Sequence, residues 1–251
     1  MTSGVGRAVV VTGASGGIGA AIARTFAAGG DRVAVHYNTG RDRAEAVLTS
    51  MPGDGHMLAQ ADLADPDAIL AMIDEVAQTF GRIDVLVNNA GVYQAHPIDD
   101  TDYASWQSAW HDTLAVNLVG AANVTWCAAR HMGRGGRIVN VASRGAFRGE
   151  PRQPAYGASK AGLVALGQSL ARALGPRGIA VTSVAPGITE TDMARETMAG
   201  DEGDRRRAES PLNRITTPDD VAAAVFYLAS AAAEMASGTV LDINGASHLR
   251  L

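Results

Sequence analysis

Short apolar runs bounded by glycine or polar residues recur along the chain, with amphipathic stretches between them. Ala8 to Val11 is the first such run and ends at a glycine turn, the pattern of a strand buried on both faces. Ile18, Ile22 and Phe26 then recur every four residues, so a helix begins by about Gly17 and ends at Gly29-Gly30. Gly30 to His36 reads as the second strand, and further strands are expected at 56–60, 83–87, 137–142, 179–184 and 239–243. Asp65 is placed to cap a helix that opens on Pro66 and stops at Gly81. Thr217 and Pro218 open another through VAAAVFYLAS, and long helices are expected over 101–132 and 156–174. Seven strands alternating with helices predict an α/β protein with a doubly wound parallel sheet and helices on both faces. Right-handed crossovers then carry every loop that follows a strand to one edge of that sheet. Residues 13–19, 88–91, Ser143 and 186–187 all follow expected strands, so they should meet in one crevice.

Composition narrows the class. A length of 251 residues suits a single α/β domain over 1–251, and 47% hydrophobic with 19% charged residues suits a packed core. Net charge is −5, and the basic run Arg205-Arg206-Arg207 sits among Asp201, Glu202, Asp204 and Glu209, so nucleic acid is not an expected partner. The single cysteine, Cys127, has no partner for an internal disulfide, and the 6 histidines show no ligand spacing, so no metal is expected. No stretch approaches the ~20 apolar residues of a membrane helix, which predicts a cytoplasmic protein without a membrane partner. Residues 193–213 are polar, charged and glycine-bearing, the composition of a substrate lid.

Two clusters carry the chemistry. Tyr156 and Lys160 are four apart on one expected helix, so their side chains share a face. A free tyrosine titrates near ~10, too high for acid–base work at neutral pH, and a neighbouring ammonium favours the phenolate. Lowering that value by about three takes roughly 4 kcal/mol, within reach of a partly desolvated pair. Ser143 can orient a substrate oxygen beside the phenol. Small neighbours (Gly157, Ala158, Ser159, Ala161, Gly162) let a second body approach that helix. The other cluster is Gly13, Gly17 and Gly19 between a strand and a helix. There the backbone can approach a pyrophosphate and the helix start offers unpaired N–H groups.

In this order and spacing the motifs resemble the short-chain dehydrogenase/reductase family over nearly the whole chain. The matching segments are TGASGGIG (Thr12 to Gly19), Asn88-Asn89-Ala90-Gly91, Asn117 in AVNLVG, Ser143, Tyr156, Lys160, and Pro186-Gly187 with Thr191 in PGITETDM. The resemblance implies a Rossmann-like fold and a tetrad. Tyr156 is then the general acid or base, and Lys160 lowers its pKa and bonds the nicotinamide ribose. Ser143 holds the substrate oxygen, and Asn117 anchors a proton-relaying water chain. It also implies cofactor contacts from Gly13, Ser15, Gly17, Ile18 and Gly19 at the phosphates and from Asp62 and Leu63 at the adenine. Asn89, Ala90, Gly91, Tyr156, Lys160, Pro186, Gly187, Thr189 and Thr191 would lie toward the nicotinamide. Family members that use NAD carry an acidic residue near Tyr37, whereas no Asp or Glu occurs from Arg32 through Arg41. Tyr37, Asn38 and Thr39 then face the 2′-position, with Arg41 or Arg43 adding charge, so NADP(H) is expected rather than NAD(H).

The closest look within the family is to 3-oxoacyl-[acyl-carrier-protein] reductases, although residues 92–112 do not follow that branch. A general carbonyl reductase is the first expectation and the acyl-carrier-protein reductase the second. For the second, Arg130, Arg134, Arg137 and Arg172 are candidate docking cations for the carrier protein. A non-catalytic dinucleotide sensor is the reading of another class, and the intact tetrad argues against it. Apolar residues on more than one face of helices 101–132 and 156–174 predict a homo-oligomer, which by resemblance is a tetramer.

Overall fold

The computed structural model describes residues 6–190 and 200–250. Seven parallel strands form one sheet: β1 (Ala8–Val11), β2 (Arg32–Tyr37), β3 (Met57–Gln60), β4 (Val85–Asn88), β5 (Arg137–Val141), β6 (Ala180–Pro186) and β7 (Val240–Ile243). Their order across the sheet is β3-β2-β1-β4-β5-β6-β7. Chain direction therefore reverses its walk between β1 and β4, and such a switch point opens a crevice at the carboxyl ends of the strands. The central strands are buried along their whole length because each face is covered by helices.

The helices are α1 (Gly17–Ala28), α2 (Arg41–Ser50), α3 (Pro66–Phe80), α4 (Tyr103–Leu114), α5 (Ala121–Ala129), α6 (Gly145–Arg148), α7 (Pro154–Leu174), α8 (Gly200–Ala208) and α9 (Pro218–Leu228). Two apolar layers result. One packs α1, α2 and α9 on the sheet through Ile22, Phe26, Val47, Val221 and Val225. The other packs α3 and α5 on the opposite face through Ile69, Ile73, Val76, Val124 and Leu86. Full burial of one such aliphatic side chain contributes about 1.5–3 kcal/mol.

The expected stop and start residues act as read. The Asp65 side chain accepts from Asp67 N at 2.9 Å and Ala68 N at 3.2 Å, and Gly81 ends α3 in the left-handed region at φ 80°. Thr217 and Asp220 form a reciprocal capping box at the start of α9. The helix expected over 101–132 is not continuous. Between α4 and α5 the backbone takes a π-helical turn at Ala115–Gly120. Gly120 is pressed against the neighbouring loop, where a Cβ would stand 2.5 Å from Leu63 O. The wider turn accepts that contact and swings Asn117 inward.

Candidate active site

The turn after β1 is held open by glycine. Gly13 and Gly17 adopt φ 64° and 52°, and a Cβ on Gly13 would stand 2.8 Å from Ala90 Cα. A Cβ on Gly19 would meet Gly13 O at 2.3 Å and Asn89 Nδ2 at 2.5 Å. At Gly16, by contrast, nothing lies within 4 Å, and no side chain caps the start of α1. Unpaired helix N–H groups beside open space fit the pyrophosphate of a dinucleotide. Ser15, Gly17 and Ile18 lie on this rim, none of them buried.

Two side chains brace the turn. Thr12 Oγ1 accepts from Asn89 N at 2.9 Å and Ala90 N at 3.0 Å, while Asn89 Nδ2 donates to Thr12 O at 2.8 Å and Gly13 O at 3.1 Å. The ends of β1 and β4 are thereby locked together. His36, read only as the end of a strand, lies beneath. Its Nδ1 accepts from Gly13 N at 2.9 Å, so Nε2 carries the hydrogen and donates to Ala61 O at 3.1 Å. Burial holds its pKa down at about 4, against the raising effects of Ala61 O and Asp62.

In the segment expected at the adenosine, Tyr37 is buried while Asn38 and Thr39 are exposed. The Arg43 guanidinium folds over Gly40, with Nη2 2.6 Å from the position a Cβ would take. Arg41 instead pairs with Glu45 at 2.8 Å along the exposed face of α2. Asp62 uses its carboxylate locally, accepting from Ala64 N at 2.9 Å, and Leu63 is buried against the π-helical turn.

Tyr156, Ser143, Lys160 and Asn117 come together across the crevice. Tyr156 lies in the first turn of α7 and Ser143 in the loop after β5, where the serine hydroxyl favours the ionised phenol. Ser143 Oγ also accepts from Gly145 N at 3.0 Å. Lys160 is 3% exposed, donates from Nζ to Val141 O at 2.9 Å, and lies 5.7 Å from the centre of the Tyr156 ring. A Cβ on Gly91 would stand 3.2 Å from Asn117 Oδ1 and 3.4 Å from Lys160 Nζ, so that glycine leaves both groups approachable. Asn117 clamps the following residue: Oδ1 accepts from Val92 N at 2.8 Å and Nδ2 donates to Val92 O at 3.0 Å and Ser159 Oγ at 3.1 Å. Its amide is thus committed to protein groups.

Burial governs the titration of the pair. Burial pushes the Tyr156 phenol up to about 12, with Ser143 pulling down and Glu150 and Tyr93 adding to the rise. Burial also brings Lys160 down to about 8. Removing both groups from water disfavours both charged forms, and the lysine spends its bond on Val141 O rather than on the phenol. Tyr93 meets the Tyr156 ring edge-on, with centroids 4.8 Å apart.

The segment expected at the nicotinamide follows β6. Gly187 N donates to Ile243 O at 2.9 Å, and Thr189, 8% exposed, donates from Oγ1 to Gly187 O at 3.1 Å. Pro186 is the buried end of β6. Thr191 and residues 193–199 of the expected lid lie outside the described residues; α8 covers part of the remainder. His96 is buried, donates from Nδ1 to Gln94 O at 2.8 Å and accepts from Ala155 N at 3.1 Å. It caps α7 one residue before Tyr156, yet no local pattern marks it. Among the described residues no group of His, Cys, Asp or Glu is placed to hold a metal, and no helix is long and apolar enough to cross a membrane.

A protein-family model described as Enoyl-(Acyl carrier protein) reductase matches residues 13–248. The chain is 38% identical over 244 residues to D-threitol dehydrogenase of Mycolicibacterium smegmatis, covering 96% of this chain and 92% of that protein. It is 37% identical over 247 residues to the 3-oxoacyl-[acyl-carrier-protein] reductase FabG of Staphylococcus aureus, covering 97% and 98%. An uncharacterized short-chain type dehydrogenase/reductase of Sinorhizobium fredii is 42% identical and longer, the chain spanning 43% of its length. Among solved structures, a short chain dehydrogenase from Burkholderia cenocepacia in complex with NADP matches with a TM-score of 0.88 at 41% identity, over 96% of this chain and 97% of that one. With a glycine turn fitted to a nicotinamide dinucleotide and a Ser–Tyr–Lys–Asn cluster across the crevice, the chain belongs to the short-chain dehydrogenase/reductase family, oxidoreductases acting on CH–OH or C=O groups.

Proposed function

We propose that the protein is an NADP(H)-dependent carbonyl reductase in which Tyr156 is the general acid. The observation that carries this reading is the convergence of Tyr156, Ser143 and Lys160 on the crevice opened by Gly13, Gly17 and Gly19. A phenol held near 12 is protonated at neutral pH, ready to give its proton to the oxygen of a carbonyl being reduced. Ser143 Oγ already accepts from Gly145 N, so its own hydrogen is free to point at that oxygen. When bound, the dinucleotide supplies the hydride; the chain supplies position and proton management. Lys160, beside Gly91, is placed to donate to the nicotinamide ribose, and Asn117 fixes the loop through Val92. Thr191 belongs to the same proposal as a nicotinamide-side contact.

NADP(H) is favoured over NAD(H) because no carboxylate occurs between Arg32 and Arg41, while Asn38 and Thr39 are exposed beside Arg43. The phosphate would compete with Glu45 for Arg41, whose pairing is exposed and therefore weak.

The second reading, a 3-oxoacyl-[acyl-carrier-protein] reductase, is favoured by 37% identity to FabG. Its expected docking set shrinks, however. Arg137 is 4% exposed and bonded to Ser230 O, Gly136 O and Glu234, which leaves Arg130, Arg134 and Arg172. Oxidation of NADPH and NADH against ketones, 3-oxoacyl thioesters and sugars tests both readings. A strong preference for NADH would end the NADP(H) assignment, and turnover confined to carrier-bound thioesters would promote the second reading. We further propose a cytoplasmic homotetramer built on the outer faces of α5 and α7, where Trp126 is 63% exposed. Sedimentation as a monomer at micromolar concentration would contradict it.

A further inference from the structure

Next to the reacting centre stands a buried cation that the proposed chemistry does not use. Arg144 follows Ser143 directly and is 3% exposed. Its backbone N donates to Pro186 O at 2.9 Å, tying the serine loop to the end of β6. Nη1 donates to Ser247 Oγ at 2.6 Å in the C-terminal tail. Nη2 lies 2.6 Å from Glu209 Oε2 just beyond α8, close as an ion pair though not aligned as a hydrogen bond.

Each arm is reinforced. Glu209 also attracts Arg148 Nη1 at 3.6 Å, and Ser210 Oγ donates to Gly245 O at 2.6 Å. Arg250 lies over the Phe147 ring at 4.4 Å and pairs with Asp242 at 2.7 Å. The serine loop, the chain beyond α8 and the C-terminal tail are thus fastened at one point. Burying a guanidinium is costly, and such pairs are weak evidence for stability, but a planar fork defines geometry tightly.

We propose that Arg144 is a positioning residue: by gripping Glu209 and Ser247 together it sets the placement of Ser143 and brings the foot of α8 against the substrate side of the crevice. This rests on the reading of Ser143 as the group that holds the carbonyl oxygen. An error of about 1 Å at such a group costs on the order of 100-fold in rate, so a clamp one residue away has leverage on carbonyl turnover.

The test uses the full chain, NADPH and the best carbonyl substrate from the screen above. Glu209→Gln, Ser247→Ala, Arg144→Lys and the double variant Arg144→Lys/Glu209→Gln are compared with wild type. Glu209→Gln is expected to lower kcat/KM for the carbonyl by about 10-fold or more, because it removes the charge-assisted partner. The dissociation constant for NADPH, from fluorescence titration, stays within about 2-fold, since the backbone bond from Arg144 N to Pro186 O and the glycine turn after β1 are untouched by these side-chain changes. The double variant should be no worse than its weaker parent, since both changes open the same clamp. Should Arg144→Lys fail to fold, Glu209→Gln and Ser247→Ala still decide the matter, because each leaves Arg144 in place. A lowered Tm with unchanged carbonyl kinetics, or independent multiplicative losses in the double variant, would overturn the inference. Tyr156→Phe serves as the control. If that variant keeps full turnover, the reading of the site has failed; if it is inactive while Glu209→Gln is unaffected, only the clamp has.

Discussion

Replacing His36 by asparagine should remove a defined share of the acid sensitivity of the fold. The imidazole is 2% exposed, accepts from Gly13 N through Nδ1 and donates to Ala61 O through Nε2. Both contacts need the neutral ring, because protonation would turn Nδ1 into a donor facing the Gly13 N–H. Burial lowers the folded-state pKa from 6.5 to about 4, so as pH falls the unfolded chain takes up the proton first. The stabilising share is therefore present above about 6.5 and lost as pH falls through about 4. At about 1.4 kcal/mol per pH unit, that interval amounts to about 3 kcal/mol. Asparagine keeps a donor and an acceptor but does not titrate. Urea unfolding of wild type and His36→Asn, followed by circular dichroism from neutral to about pH 4, isolates this group because other titrations are common to both. Wild type should lose about 3 kcal/mol more than the variant over that range. NADPH affinity of the wild type should hold down to the region of pH 4 and weaken there, where the folded-state ring gains its proton and Gly13 loses its brace. A stability difference that stays constant with pH would refute the reasoning.

Other expectations follow from single contacts. Gly19→Ala places a Cβ 2.3 Å from Gly13 O, so NADPH affinity measured by fluorescence should fall on the order of 100-fold. Thr12→Val keeps the shape but strands the N–H groups of Asn89 and Ala90; chemical denaturation should show a loss of about 2 kcal/mol. Asp220→Ala removes the capping box and both Arg214 contacts, at 2.6 and 3.0 Å, and should cost about 1–2 kcal/mol at neutral pH. Arg214 first, with Thr217 behind it, holds the Asp220 carboxyl well below the usual range. Its contribution is present above the ordinary carboxylate range and lost only in strong acid, so wild type and Asp220→Ala should converge there in thermal melts.

The fold was legible because its signals are local. Four-residue apolar runs, Asp65 before Pro66, Gly81 and the Thr217 cap each act within a turn or two of their own position. The convergence of Asn117, Ser143, Tyr156 and Lys160 and the glycine turn were legible because their spacing is fixed by one strand–turn–helix unit or by the order of crossovers. What escaped were groups whose meaning comes from distant chain. His36 matters because Gly13 and Ala61 lie on either side of it, and Arg144 because Glu209 and Ser247 return to it. The π-helical turn was hidden for the same reason, since its cause is Leu63 O packed against Gly120. Helix spacing puts Tyr156 and Lys160 on one face but says nothing of their burial, which raises the phenol and lowers the ammonium.

Tyr156 as the proton donor to a carbonyl beside a bound dinucleotide is the central claim. Turnover and NADPH affinity of Tyr156→Phe, measured on one preparation, test it most directly. Turnover should fall by about three orders of magnitude with the NADPH dissociation constant within about 2-fold of wild type. Turnover near the wild-type rate would contradict the account.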